Sequence, residues 1–577
     1  MIELRHSLAS ARHPWRLFAL GLALTLAGSL LAHFVQTAGG IRVTDVRFQG
    51  ADGSQMSALL YVPPGVTAAA PAPGILAVHG YMNSRETQSG FAIEFARRGY
   101  VVLALDQRGH GYSSPPAFAA GFGGPDGLNY LRGLDIVDRK NIGLEGHSMG
   151  GWTVLAAAAT FPHAYRSMVL EGSSTGAPFA VEGTPEFPRN VAVVYSRYDE
   201  FSQLMWGVRS ARDVAGSPKL RALFGTDAPV EEGRIYGSIE NGTARVLYSP
   251  HVTHAMDHIS PTAIGDSIDW FQRTLVGGKP LPPDDQIWIW KEIGTLIAFV
   301  GFIVLLLGTF ERLLQLPWFA PLAASPDLGG ARRDGRWWIS LIVGALLPAA
   351  TLLPFFQLAE AYAPASQLFP QSLTNQIAAW AVLNGLIVFA LSFVPGGIRP
   401  HFNLQAGRSI AIALLTVAAG YATLAVCGFL FTVDFRFWVL ALKLLGRTQW
   451  PAFFAYLLPF TVFFLFALRG LHSAITRATA RPATQYLINV VALAGGFAAF
   501  VKIQYGLLLT TGSMWTFFDN DVLRTIIAIQ FVPLMSIVAI IATFTYRRTN
   551  SYLPGAFVCA LFVTWYVVAG QATHVAA

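Results

Sequence analysis

The chain has 577 residues, of which 53% are hydrophobic and only 13% charged, with a formal net charge of +7. Such a composition excludes a disordered chain and an ordinary soluble globule, because long apolar stretches have to be buried in lipid or in a very large core. Residues 41–285 carry 20 Lys and Arg against 24 Asp and Glu, whereas the rest of the chain carries 20 against 9. The positive charge therefore sits between apolar runs, where membrane topology accounts for it, and a nucleic-acid partner is excluded.

A membrane helix needs about 20 mostly apolar residues. Residues 15–35 form the first such run. Its apolar core is longer than the ~7–15 residues of a cleaved signal, and no small-x-small site follows, so it reads as an uncleaved signal anchor. After a long polar stretch come runs at 287–310, 336–357, 374–395, 408–431, 450–469, 485–509, 524–546 and 553–573. Arg5, Arg12 and Arg16 precede the first span. With that end in the cytoplasm, the inner loops hold Arg312, Arg332, Arg333 and Arg336, then Arg399 and Arg408, then Arg469, Arg477 and Arg481, then Arg547 and Arg548. The outer loops are poor in Lys and Arg, except 432–449 with Arg436, Lys443 and Arg447. The alternation predicts a multi-pass cell-membrane protein with the N-terminus inside and both the polar domain and the C-terminus outside. Three regions follow: residues 1–40, a cytoplasmic N-terminus and anchor; 41–280, an extracytoplasmic domain; and 281–577, an all-α polytopic bundle of about eight helices. Cys427 and Cys559 both fall in predicted spans, so the outer domain has no disulfide.

In the polar domain, strand-like runs alternate with helical patterns. Residues 41–49 and 56–62 read as an antiparallel pair. Runs at 74–80, 141–148, 167–173, 191–199 and 244–250 read as further strands and 100–111 as a strand and its loop, with helices at 91–99, 126–137, 149–161 and 259–275. This alternation predicts a doubly wound α/β domain with a mainly parallel sheet. One turn carries chemistry. A serine hydroxyl is a poor nucleophile until a base lies within reach and the serine is rigidly exposed. A sharp strand-to-helix turn gives that exposure, and glycines on either side relieve the crowding. Gly146-His147-Ser148-Met149-Gly150 has this G-x-S-x-G form between a strand and a helix.

With VHGYMNS (78–84), LDQRGHGYSS (105–114), YSRYDEF (195–201) and THAMDH (253–258) in order around GHSMGG (146–151), the domain resembles an α/β hydrolase of the serine esterase, monoglyceride-lipase and serine-aminopeptidase branch. The resemblance implies Ser148 as nucleophile and an oxyanion hole from the backbone N–H groups of Tyr81 and Met149. It makes Asp106, Arg108 and His110 scaffold, and His79 a shaper of the oxyanion loop. Asp199 is the expected acid, with Glu200 as rival. His254 is the expected base, ahead of His251 and His258. The family's glycine before the acid is missing: Ser196-Arg197-Tyr198 stands there. No cofactor and no metal are expected, since the His251, His254 and His258 spacing lacks a His-Glu-x-x-His pattern.

The interval 173–190 is too short for a large lid. The stretch 200–240, with Phe201, Leu204, Met205, Trp206, Leu220, Leu223 and Phe224, either walls the pocket or packs as ordinary helices. In the membrane half, Lys502, Gln504 and Asn384 are polar groups inside spans, and Pro354, Pro459 and Pro533 are expected to kink their helices. The short, proline-rich linker 277–286 predicts close seating of the domain on the membrane. The outer loops 358–373 and 432–449, through Phe369, Trp438 and Leu440, either wall the active-site mouth or anchor the interface. The expected function is hydrolysis of a small-molecule or lipid acyl ester, with membrane lipids as surroundings. A peptidase or amidase with the same triad is the alternative, and a ligand-binding transporter or receptor is a third.

Overall fold

The computed structural model describes residues 14–327, 333–391, 401–476 and 481–576. Arg5, Arg12, Arg332, Arg399 and Arg477 lie outside the described residues. The polar domain is built on β1 (Arg42–Gln49), β2 (Gln55–Val62), β3 (Ala72–Val78), β4 (Val101–Asp106), β5 (Val137–His147), β6 (Ser167–Glu171), β7 (Val191–Val194) and β8 (Arg245–Tyr248). They form one sheet in the order β1-β2-β4-β3-β5-β6-β7-β8. The pairs β1/β2 and β2/β4 are antiparallel and the rest are parallel.

Following α1 (Pro14–Gln36), the helices of this domain are α2 (Ser89–Arg97), α3 (Gly124–Gly133), α4 (Met149–Thr160), α5 (Ser202–Trp206), α6 (Pro218–Phe224) and α7 (Pro261–Thr274). Successive strand residues point to opposite faces, and the sequence uses both. Leu76, Val78, Leu103 and Leu105 join Leu128, Leu131 and Val154 of α3 and α4 in one core. Ile75, Ala77, Val102 and Ala104 join Phe91, Phe95, Ile268 and Phe271 of α2 and α7 in the other. The helix expected at 126–137 is shorter, because β5 already begins at Val137, paired with Ala72 across a register shift at Pro73 and Gly74. Within 200–240, Met205, Trp206, Leu220, Leu223 and Phe224 are buried in the core and Leu204 is 46% exposed, so most of this stretch is packed helix rather than pocket wall.

The membrane half contains α8 (Trp288–Leu313), α9 (Gly335–Ala350), α10 (Leu352–Tyr362), α11 (Ser372–Leu391) and α12 (Ala406–Phe431), then a hairpin of β9 (Phe435–Phe437) and β10 (Leu440–Leu442), then α13 (Gln449–Ala474), α14 (Pro482–Thr511), α15 (Asp521–Thr549) and α16 (Leu553–Gly570). With α1, eight described helices are long and apolar enough to cross a membrane, or nine if α9 and α10, bent by 44°, form one broken span. Pro354 has no N–H to bond the carbonyl of Ala350, where α9 ends. Pro459 and Pro533, by contrast, lie inside helices that continue past them. Asn384 bonds Thr351 and the Trp380 carbonyl, and Gln504 bonds both backbone groups of Trp515. These polar groups tie the bundle together.

The first helix is part of that bundle. It packs antiparallel on α8 through glycines that leave no room for a side chain. A Cβ on Gly21 would lie 2.3 Å from the Leu305 nitrogen, and one on Gly301 2.4 Å from the Thr25 nitrogen. Small residues let membrane helices approach this closely.

The two halves are joined firmly. Glu94 of α2 accepts the N–H groups of Ile287 and Trp288 at 2.7 and 3.0 Å, capping α8 with a carboxylate. Arg97 holds Asp285 of the linker at 2.8 Å. Two of the three basic residues of the 432–449 loop have partners here: Arg436 pairs with Asp434 at 2.7 Å, and Lys443 reaches Glu86 of the sheet domain at 3.6 Å. Their departure from the charge alternation thus has a structural reason. Residues after α16 also reach the sheet domain, where Thr573 exchanges backbone bonds with Gly109 and Ala117 at 2.9 and 2.8 Å.

Candidate active site

Ser148 stands alone between the end of β5 and the start of α4, with φ 55° and ψ −121°. Positive φ is unfavourable for a residue with a side chain, and neighbours hold it: the Ser148 N–H donates to the Glu171 carbonyl at 2.8 Å and the Gly151 N–H to the Ser148 carbonyl at 2.9 Å. The flanking glycines are a steric requirement. A Cβ on Gly146 would lie 2.2 Å from the Gly150 carbonyl oxygen, and one on Gly150 would lie 2.1 Å from that of Val78. Met149 opens α4, so its N–H is one of the unpaired donors of a helix start. A Cβ on Gly80 would lie 3.2 Å from the Ser148 Cβ, so the Gly80–Tyr81 backbone runs beside the serine.

The loop residues His79, Asp106, Arg108 and His110 do not line the cavity at Ser148. His79 Nδ1 lies 2.7 Å from the Gly80 carbonyl, and its Nε2 accepts the Gln107 N–H. Asp106 accepts from the Arg85 N–H and the Ser57 hydroxyl at 2.9 and 2.8 Å. Arg108 pairs with Asp52, and His110 bonds the Tyr81 carbonyl. Together they fix the two loops that flank the serine.

His254 begins the turn His254–Ile259 after β8, and its Nδ1 lies 2.8 Å from Asp199 Oδ2. The missing glycine before Asp199 does no harm, because none of Ser196, Arg197 and Tyr198 takes positive φ. The Arg197 and Tyr198 N–H groups bond the carbonyls of Pro250 and Val252, which brings this turn against the histidine loop. Glu200 has a different partner from Asp199: its Oε2 accepts the His254 backbone N–H at 2.7 Å, and its Oε1 accepts the Tyr505 hydroxyl of α14 at 2.5 Å. His251 is exposed beside Tyr198. His258 packs against His147 with ring centroids 3.9 Å apart and the planes tilted by 54°.

Burial alone would pull the His254 pKa down, but the carboxylates of Asp199, Glu200 and Asp257 outweigh it and hold the imidazole up at about 9. Glu200, desolvated and beside Asp199, is pushed up to about 7. Asp257 is raised well above the usual range by burial and by Asp199. Among the described residues, His147, His254 and Asp257 offer candidate metal-ligand atoms within 4.8 Å of one another. This set differs from the His251, His254 and His258 spacing in the sequence, and its His254 Nδ1 is already bonded to Asp199.

Ser148, His254 and Phe201 open on one cavity. Its opposite wall comes from the membrane half: Trp438 and Val439 of the hairpin, and Leu523, Ile526 and Gln530 of α15. Trp438 Nε1 donates to the Ala255 carbonyl at 2.8 Å, next to the histidine. Of the two outer loops expected near the mouth, only 432–449 lines the cavity. Phe369 of the other packs on the Tyr456 ring, and Leu440 is fully buried in the bundle core. Tyr505, Trp438, Leu523 and Ile526 are the site residues that sequence reading missed or left open; each arrives from a distant part of the chain, with no local motif to mark it.

Residues 73–193 match the alpha/beta hydrolase fold family. The chain is 33% identical over 103 residues to human serine hydrolase BPHL, a match covering 17% of this chain and 35% of that protein. It is 28% identical over 179 residues to a monoacylglycerol lipase of Mycolicibacterium smegmatis, covering 29% and 59%. Among solved structures, the Pyrococcus furiosus esterase Pf2001 is similar at 18% identity and a TM-score of 0.30, covering 41% of this chain and 94% of its own. The chain thus spans about a third of the length of the human relative. The domain carrying Ser148 has the α/β-hydrolase fold.

Proposed function

We propose that this α/β-hydrolase chain is a membrane-bound serine hydrolase that cleaves carboxylic esters outside the cytoplasm. Ser148 Oγ attacks the ester carbonyl while His254 Nε2 takes its proton, and Asp199 orients the ring and stabilises the imidazolium. The N–H groups of Tyr81 and Met149 receive the oxyanion, a contribution of ~3–4 kcal/mol per donor in known cases. His254 returns the proton to the leaving alcohol. It then deprotonates the water that attacks the acyl-enzyme, and Ser148 and the free acid are released. The observation that carries this reading is the His254–Asp199 pair at 2.8 Å, opening on the same cavity as the strained Ser148. The similar proteins named as a serine hydrolase and a monoacylglycerol lipase point the same way.

A multi-pass membrane location is supported by the eight long apolar helices. The N-terminus-inside reading is supported by the basic groups at one end of the bundle, where Arg312 lies over Trp15, Arg408 bonds the Trp318 carbonyl and Arg548 pairs with Glu311. The close packing of α1 on α8 favours an anchor that stays in place.

The test is turnover of p-nitrophenyl esters and aminoacyl anilides by purified full-length protein and its Ser148→Ala variant. Ester turnover should fall by ~10⁴-fold or more in the variant. Turnover of anilides alone would replace the esterase reading with the peptidase one, and an unaffected variant would remove the triad.

A further inference from the structure

The cavity over Ser148 has a wall that an isolated hydrolase domain would lack. Leu523, Ile526 and Gln530 follow one another at i, i+3 and i+7 along α15. That spacing puts all three on one helix face, over a stripe ~10 Å long. The stripe starts two residues after Asp521, where the helix begins, and so lies in the first turns of a span. Ile526 is 4% exposed, and Leu523 is partly exposed toward the cavity. Gln530 closes the far end as a satisfied polar stop: its Oε1 accepts the Tyr566 hydroxyl, and its Nε2 faces the Met82 sulfur at 3.9 Å. The facing Trp438 ring is fixed by its bond to the Ala255 carbonyl. Part of the remaining wall is polar, with Asn83, Thr87, Glu292 and Arg436.

We propose that the Leu523–Ile526–Gln530 face of α15 is an acyl-chain chamber, and that the substrate is an amphiphilic ester whose medium-length acyl chain lies along this membrane helix while its carbonyl meets Ser148. The inference rests on the esterase reading. The apolar stripe suits an alkyl chain, the amide at its end limits the length, and the polar wall suits the remainder of an amphiphile. Chain length is then read by the membrane half and bond cleavage is performed by the hydrolase half.

The experiment measures kcat/KM for p-nitrophenyl esters from acetate to dodecanoate with the full-length protein in detergent. In the wild type, kcat/KM should rise about 3–4-fold per added methylene until the stripe is filled, the factor that burial of one CH₂ implies, and then level off. Ile526→Trp and, at a less buried position, Leu523→Trp fill the chamber. Both should lower the octanoate-to-acetate ratio of kcat/KM about tenfold or more, as the lost methylene contacts require. A wild-type profile with no rise in kcat/KM along the series, or an equal loss on every ester in the variants, overturns the chamber. If no ester is turned over, the esterase reading fails on its own, and inactivation by ethyl and octyl fluorophosphonates still tests the chamber. Faster octyl inactivation that disappears in both variants supports it; equal rates in the wild type overturn it.

Discussion

Ser148 and His254 are held by different means. The serine is held by backbone: a positive φ, two hydrogen bonds, and glycines whose Cβ atoms would strike carbonyl oxygens near 2 Å. The histidine is held by side chains, with Asp199 on Nδ1 and Glu200 on its own N–H. The two acids therefore should not be interchangeable. Asp199→Asn is expected to reduce kcat by about 10⁴-fold, since the wrong tautomer is then favoured. Glu200→Gln keeps an acceptor for the N–H and should cost far less; equal losses would contradict the assignment. The charges also set a pH profile. The groups facing His254 are the acids Asp199, Glu200 and Asp257, and the histidines His147 and His258, whose burial keeps their pKa values low. A general base must be neutral, so kcat/KM should rise as pH rises through the His254 pKa, with a midpoint above 6.5 and toward about 9. Glu200→Gln removes one carboxylate that raises that pKa, so the midpoint should move down. An unchanged or higher midpoint would count against this electrostatic account.

Helices and loops of the membrane half reach the catalytic turn directly. Tyr505 of α14 bonds Glu200, and Trp438 of the hairpin bonds Ala255, so both sides of His254 are braced from outside the hydrolase domain. Tyr505→Phe removes one hydroxyl and leaves the ring. Several-fold lower kcat with nearly unchanged KM is the expected outcome, and steady-state kinetics checks it; a change in KM alone would assign Tyr505 to substrate contact instead. The α1–α8 pair makes a separate prediction. Gly301→Leu should lower the thermal midpoint of the detergent-purified protein, because overpacking costs about 1–3 kcal/mol even where neighbours can shift. An unchanged midpoint would mean that this contact adds nothing to stability. Much of the secondary structure was legible because its signals are local: the short apolar runs of β3 and β4, the glycine-flanked serine, the long apolar runs of the bundle. The bend between α9 and α10 was readable from Pro354. The braces were not, since 305 residues separate Tyr505 from Glu200 and 183 separate Trp438 from Ala255. A polar or aromatic residue in an apolar helix gives no sign of which distant loop it will meet.

Across the whole molecule, the eight spans gain a reason beyond anchoring, since one span already anchors a protein effectively irreversibly. They wall the cavity over Ser148, brace the His254 turn and seat the sheet domain through Glu94, Glu86 and the segment after α16. Charge alternation was enough to suggest the orientation, and in the one discordant loop Lys443 and Arg436 reach Glu86 and Thr87 across the junction of the halves. A membrane-impermeant thiol reagent should therefore label Arg234→Cys, whose native side chain is 59% exposed on the hydrolase. It should spare Leu316→Cys at the opposite end of α8, where the native residue is 48% exposed. The reverse pattern in intact cells would invert the topology. The central claim is that one serine, presented at the β5–α4 turn to a cavity shared by both halves, carries out covalent catalysis. The most direct measurement is peptide mass spectrometry of the full-length protein after reaction with an octyl fluorophosphonate. A single phosphonyl adduct on Ser148, absent when His254 is replaced by Ala, is the predicted result. An adduct on a different serine, or none on Ser148 in protein that turns over ester, would contradict it.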